Sequence, residues 1–404
     1  MTWRRIVSFL CVCLAAFGIA LPGISQEKTK VVLWHAYRGA ERKALEATIA
    51  EFNTQSKTTV LESLAVPFDA LPDKISAAVP QGKGPDLWIF AHDRIGNWAE
   101  SGVVEGINFY AQKDKTVLER FFPATLEPLI YRSALYGLPM AFKSTALYYN
   151  KNLVKVIPQT TEDFIALAKS MTNKATGTYG LVYENSNFYY HAAWLHGFGG
   201  AVFDAQGKLV LNSPATIASL EFARDLKQKH GIVPDEITNT LVTSLFNEGK
   251  AAFAISGPWF AGELKAGLNY GVVPLPRIAA TGQPAKPYLG SEALLMSAKS
   301  TKKEAAYEAM VFLTGVGPAK TRLSQGRQTV ATKAAYDGVT DPFINAFKQQ
   351  LANTVPMSNS PQMLSVWTPV TTMMSKVISG RAQPADAARE AQAACEQAFK
   401  SVKR

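Results

Sequence analysis

The sequence predicts an α/β protein of two lobes, built from strands that alternate with helices. Three observations carry this. Short β-rich apolar runs alternate with segments of helical periodicity from residue 30 onward, the pattern of a largely parallel sheet covered by helices. The 404 residues suffice for two or three domains at roughly 150 residues each. No long linker, low-complexity tract or repeat divides them, so the lobes abut or interweave. At 47% hydrophobic and 18% charged residues the chain has material for a large core, which excludes wholesale disorder.

The elements follow in order. Arg4 and Arg5 precede residues 6–21, which carry no charge. Pro22 and Gly23 break the run, and small Gly23 and Ser25 suit a cleavage site. Residues 1–25 therefore read as a secretory signal peptide. The run is shorter than the ~20 residues of a spanning helix. Small residues precede neither Cys11 nor Cys13, so no lipid-anchor cysteine is read there. Cleavage removes two arginines and no acids, lowering the formal charge from +10 to +8. Cys395 is then the single cysteine, without a disulfide partner. It shares an apolar helix stripe with Ala388, Ala391 and Phe399, a core position.

Residues 30–34 (KVVLW) read as the first strand, 39–56 as a helix, 58–64 as a second strand, 68–79 as helical and 86–91 (DLWIFA) as a buried strand. Ser213-Pro214 opens a helix that His230-Gly231 closes. Thr301-x-x-Glu304 reads as a capping box before a helix that Gly315 ends, and Pro384 starts the C-terminal helix.

Known catalytic signatures are missing. There is no GxGxxG, Walker loop, HExxH, GxSxG or paired CxxC. His35, His92, His191, His196 and His230 are scattered without metal spacing. Ser300-x-x-Lys303 matches the short serine-lactamase pattern, which the capping box at Thr301 explains better. No cofactor and no metal are expected. No basic run interleaves with aromatics, so nucleic acid is not an expected partner. Aromatic residues, by contrast, are dense: Tyr148-Tyr149, Phe188-Tyr189-Tyr190, Trp259 in Ser256-Gly257-Pro258-Trp259, and Trp367 shortly before Pro369. Aromatics at turns cannot all face the core. Flat apolar rings beside hydrogen-bonding groups suit sugar faces and their hydroxyls.

Six segments in order now carry a resemblance: GKGPDLWIFAHDRIGNWAESG (82–102), GLPMAFKSTALYYNKNLV (137–154), FNEGKAAFAISGPW (246–259), NYGVVPLP (269–276), GQPAKPYLG (282–290) and SPQMLSVW (360–367). With these the chain resembles the periplasmic maltose/maltodextrin-binding proteins, the solute receptors of ABC importers. The resemblance implies the periplasmic-binding-protein fold: two α/β lobes with mixed sheets, joined by a hinge of three crossings near 141–146, 288–290 and 331–335. The lobes would be 27–141 with 290–332, and 146–287 with 336–404. An oligosaccharide would lie in the cleft, and the receptor would be a periplasmic monomer that hands its ligand to inner-membrane permease subunits.

The resemblance also implies site residues. Phe90 stands where the family has a cleft tryptophan. Asp93 and Arg94 match an acidic-basic pair that binds sugar hydroxyls. Tyr189, Trp259 and Trp367 match stacking aromatics. Lys143 and Asn187 replace two family glutamates, and the first loop is Tyr37-Arg38-Gly39 without the family's Asp-Lys. Thr368 and Thr371 replace a tyrosine and an arginine, and Ala261 an outer aromatic. The candidate binding set is therefore Tyr37, Arg38, Phe90, Asp93, Arg94, Lys143, Asn187, Tyr189, Trp259 and Trp367. Two other readings compete. One is ferric iron held by Tyr189, Tyr190 and His191; the other is glycoside hydrolysis by a pair of carboxylates.

Overall fold

Val31, Val32, Leu33 and Trp34 favour a pleated, half-buried surface, and they lie in the first strand, β1 (Thr29–His35). The structure, a computed structural model, describes residues 27–402. The leader read at residues 1–25, with Cys11 and Cys13, lies outside the described residues.

In chain order the further strands are β2 (Thr59–Ala65), β3 (Leu87–Ala91), the short hairpin β4 (Ile130–Tyr131) and β5 (Ala134–Leu135), β6 (Gly137–Lys143), β7 (Ala146–Asn150), β8 (Tyr179–Val182), β9 (Ala251–Ser256), β10 (Tyr270–Val273), β11 (Tyr288–Met296) and β12 (Val355–Pro356). One sheet has the order β12-β11-β3-β1-β2, with β6 also on β11; a second has the order β10-β7-β9-β8. Parallel pairing joins β1 to β2 and β3, β8 to β9, and β11 to β12. Pairing is antiparallel between β11 and both β3 and β6, and between β7 and both β9 and β10. The sheets are thus mixed rather than largely parallel. The reason is topological: β6 leads out of the first sheet and β11 leads back in, so the two run in opposite directions where they pair.

Three apolar cores form. One takes residues from 31–140 and 293–331, such as Leu33, Trp88, Leu294 and Met310. Another takes residues from 147–285 and 357–395, such as Phe164, Trp194 and Met373, together with Tyr288. A third joins Phe142, Tyr148, Leu289, Val330 and Phe347. The chain passes between the first two cores through buried Ser144 and Thr145, along β11, and through residues 330–336.

Helices lie where apolar periodicity places them. The helix α1 (Gly39–Gln55) buries Leu45, Ile49 and Phe52. Ser213 caps helix Pro214–Gln228 by accepting the Thr216 amide, and Gly231 takes a left-handed φ of 65° beyond its end. Helix Pro384–Val402 buries Ala388, Ala391 and Cys395, and burial pushes the Cys395 thiol up to about 11.

The capping box at Thr301 does not form. Lys302 is the N-cap of helix Lys303–Leu313, with no side-chain cap. Ser300 Oγ instead accepts the Lys302 amide at 3.1 Å and donates to Asp86 Oδ1 at 2.7 Å. Gly315 follows the C-cap Thr314, so the helix ends there as read, and it serves at once as N-cap of the next helix, Val316–Gly326. Lys303 pairs with Glu105 at 2.9 Å, so Ser300-x-x-Lys303 is a structural segment. Among the described residues no helix is long and apolar enough to cross a membrane.

Candidate functional site

Residues of both sheets and of the segments between them surround a cavity of about 1150 Å³. Its first wall begins at the end of β3. Phe90 stacks on Phe68 with ring centroids 5.1 Å apart and meets Trp98 edge-on at 5.7 Å. The chain then turns through His92–Arg94. His92 is buried and holds that turn in place. Its Nδ1 accepts the Ser291 amide at 3.0 Å, so Nε2 carries the proton and donates to the Met357 carbonyl at 2.8 Å. Burial lowers the His92 pKa and keeps the ring neutral. The turn presents Asp93 and Arg94 to the cavity, with Arg94 Nε 3.9 Å from Asp93 Oδ2. Burial raises the Asp93 carboxyl pKa, against the opposing pull of His92 and Arg94.

The opposite wall is aromatic. Trp259 lies on the 3-10 turn Pro258–Glu263 that follows β9. A Cβ on Gly257 would fall 2.0 Å from the indole, so only glycine lets the ring rest over the backbone. Tyr148, buried in β7, donates its hydroxyl to the Gly257 carbonyl at 2.7 Å and fixes the turn. Tyr189, in helix Phe188–Gly197, meets Trp259 at 6.2 Å and Tyr288 at 6.3 Å. Tyr288 in turn meets Trp367 at 6.3 Å. Trp367 sits not on a turn but within helix Gln362–Ile378, which contains Pro369. The proline sacrifices one amide donor without ending the helix, whose buried face of Met363, Val366, Val370 and Met373 holds it.

The floor is charged. Lys143, at the end of β6, reaches Glu292 at 3.2 Å and Glu41 at 3.7 Å. Tyr37 donates to Glu292 Oε2 at 3.1 Å and lies 5.8 Å below the ammonium. Burial works to lower the Lys143 pKa, but the two carboxylates prevail and raise it. Burial raises Glu41 against Lys143, and it raises the Tyr37 hydroxyl further beyond its ordinary value.

The cavity thus gathers nine of the ten sequence-derived candidates: Tyr37, Arg38, Phe90, Asp93, Arg94, Lys143, Tyr189, Trp259 and Trp367. Asn187 does not line it. Its side chain caps helix Phe188–Gly197 by accepting the Tyr189 amide at 3.0 Å. Sequence reasoning passed over Glu41, Phe68 and Glu292, which do line the cavity. Glu292 had a legible signal: it is the one charge in the nine-residue run YLGSEALLM, all of it buried. Tyr190 and His191, offered as iron ligands beside Tyr189, do not line the cavity, and His191 Nε2 pairs with Ser219 at 3.1 Å.

A deep cleft with hydrogen-bonding charges on one wall and aromatic rings on the other, between two α/β lobes, defines a ligand receptor. Residues 47–345 match the bacterial extracellular solute-binding protein family, and the chain belongs to it. It is 31% identical over 350 residues to the maltotriose-binding protein of Pyrococcus abyssi, covering 84% of this chain and 75% of that one. It is 28% identical over 389 residues to the galactooligosaccharide-binding protein of Bacillus subtilis, covering 91% and 89%. A cyclo/maltodextrin-binding protein solved with maltotetraose superposes with a TM-score of 0.85 at 29% identity, covering 94% of this chain and all of that one.

Proposed function

We propose that the protein is a non-enzymatic, monomeric, periplasmic receptor that binds a maltooligosaccharide in the cleft and delivers it to the permease of an ABC importer. One observation carries the reading: Trp259, Tyr189 and Trp367 offer rings facing a wall of hydroxyl partners, Asp93 and Arg94. Rings pack on sugar C–H faces, and charged groups take paired hydroxyls. The relatives named for maltotriose and maltodextrin support the same ligand class. The lobes would comprise 27–141 with 290–332 and 146–287 with 336–404, a division supported by the separate membership of the two large cores.

Titration with maltose, maltotriose, trehalose and a galactooligosaccharide tests the reading, followed by tryptophan fluorescence and calorimetry. A saturable response strongest with maltotriose is expected, with no product released on incubation. No response to any sugar of a broad panel would sink it.

A further inference from the structure

Three charges converge on the cavity floor from three separate elements: Lys143 from β6, Glu292 from β11 and Glu41 from the first turn of α1. Lys143 Nζ lies 3.2 Å from Glu292 Oε1 and 3.7 Å from Glu41 Oε1, so one ammonium answers two carboxylates. The side chains are 22%, 11% and 28% exposed respectively, and the trio keeps a net negative charge within a largely desolvated wall. Well-packed apolar residues would fill the same space without that desolvation cost, so stability does not account for the trio. The carboxylates offer about four acceptor lone pairs each. Their protein donors are Lys143 and the Tyr37 hydroxyl. Acceptor capacity is left over, and it borders the cavity.

We propose that Glu41 and Glu292, clamped by Lys143, select the ligand by binding two neighbouring hydroxyls of one sugar unit on the cleft floor. Each hydroxyl both donates and accepts. Acceptor, donor and acceptor in a row match a vicinal diol: the hydroxyls donate to the carboxylates while Lys143 donates to one of their oxygens. A neutral sugar with an intact diol is the class this favours. The proposal rests on the oligosaccharide reading above and names the groups that choose among sugars.

The test uses the mature protein, maltotriose and its monodeoxy analogues. Glu41→Gln and Glu292→Gln are measured by calorimetry after circular dichroism establishes that each is folded. Losing a hydrogen bond to a charged group should weaken maltotriose binding about tenfold or more in each variant. For at least one monodeoxy analogue the penalty should vanish, because the hydroxyl concerned is already gone. A packing defect would weaken all analogues equally. Trp259→Ala separates the two readings. If it weakens binding more than tenfold while both glutamine variants stay within twofold, the carboxylates are not the selectors and the oligosaccharide reading stands. If the wild-type protein ignores maltotriose and every analogue, both fall together.

Discussion

Gly257 decides where Trp259 rests. The indole lies over a backbone position that admits no side chain, and Tyr148 holds the turn from below. A ring fixed in this way loses little freedom when a sugar packs on it. Trp259→Ala is therefore expected to weaken maltotriose binding more than tenfold, because it removes the buried ring area together with about 0.5–1.5 kcal/mol of stacking. Calorimetry measures it, and a change below twofold would move Trp259 out of the site. Asp93 gives a prediction of different sign. Burial raises its carboxyl above the ordinary value of 3.8 in the folded protein. Above both values the buried charge works against folding, and the cost fades as pH falls through the folded value. Asp93→Asn should raise the melting temperature of the ligand-free protein at pH 7, with the gain shrinking towards pH 4, while weakening sugar binding. A lower melting temperature at pH 7 would contradict it. The Lys143 environment was not legible at this scale. The sequence marks Lys143 as an anomaly, but only the register of β6 on β11 brings Glu292 beside it.

At the scale of elements, the segment after β12 works as a strap. Met357 gives its amide to the Leu289 carbonyl and accepts His92 Nε2. Asn359 accepts the Gly96 amide at 3.1 Å and donates to the Pro128 and Ile130 carbonyls at 2.9 and 2.7 Å. The helix bearing Trp367 follows at once. A Cβ on Gly96 would stand 2.2 Å from the Asn359 carbonyl oxygen and 2.8 Å from Pro361 Cδ. Gly96→Ala should then push the strap off the first lobe and cost about 1–3 kcal/mol in urea denaturation. An unchanged midpoint would show that the strap yields freely. Elements with local causes were readable beforehand. The cap of Ser213 depends on an amide three residues on, and it formed as the sequence suggests. The box at Thr301 failed because Asp86, distant in sequence, takes the Ser300 hydroxyl and reshapes the turn. Trp367 lies two residues before Pro369 in a helix that local sequence does not announce, and tertiary packing keeps that helix whole across the proline.

At the scale of the whole molecule, the ordered motifs hold six of the nine candidate residues that line the cavity, and Tyr37, Arg38 and Tyr189 join them from outside those motifs. The motifs did not reveal the floor, where Glu41, Lys143 and Glu292 meet through long-range register. The cavity is lined by Phe90, Asp93 and Arg94 on one side and by Tyr189, Trp259 and Trp367 on the other. A ligand touching both sides binds best where they approach, so it shifts the population towards that state by its difference in affinity between states. Two measurements follow. Saturating maltotriose should lower the radius of gyration in small-angle scattering, and at about one hundred times Kd it should add about 2.7 kcal/mol to folding stability. With affinity weakened tenfold, Trp259→Ala should keep only about 1.4 kcal/mol of that stabilisation at the same sugar concentration, because one hundred times the original Kd is then ten times its own. Glu292→Gln should retain closure once sugar is raised to saturation, because its partners lie on the floor where the crossing strands meet and not on a moving wall. A radius that stays constant while calorimetry registers binding would mean that the sugar enters a cleft already closed, and the hinge would then have no part in recognition.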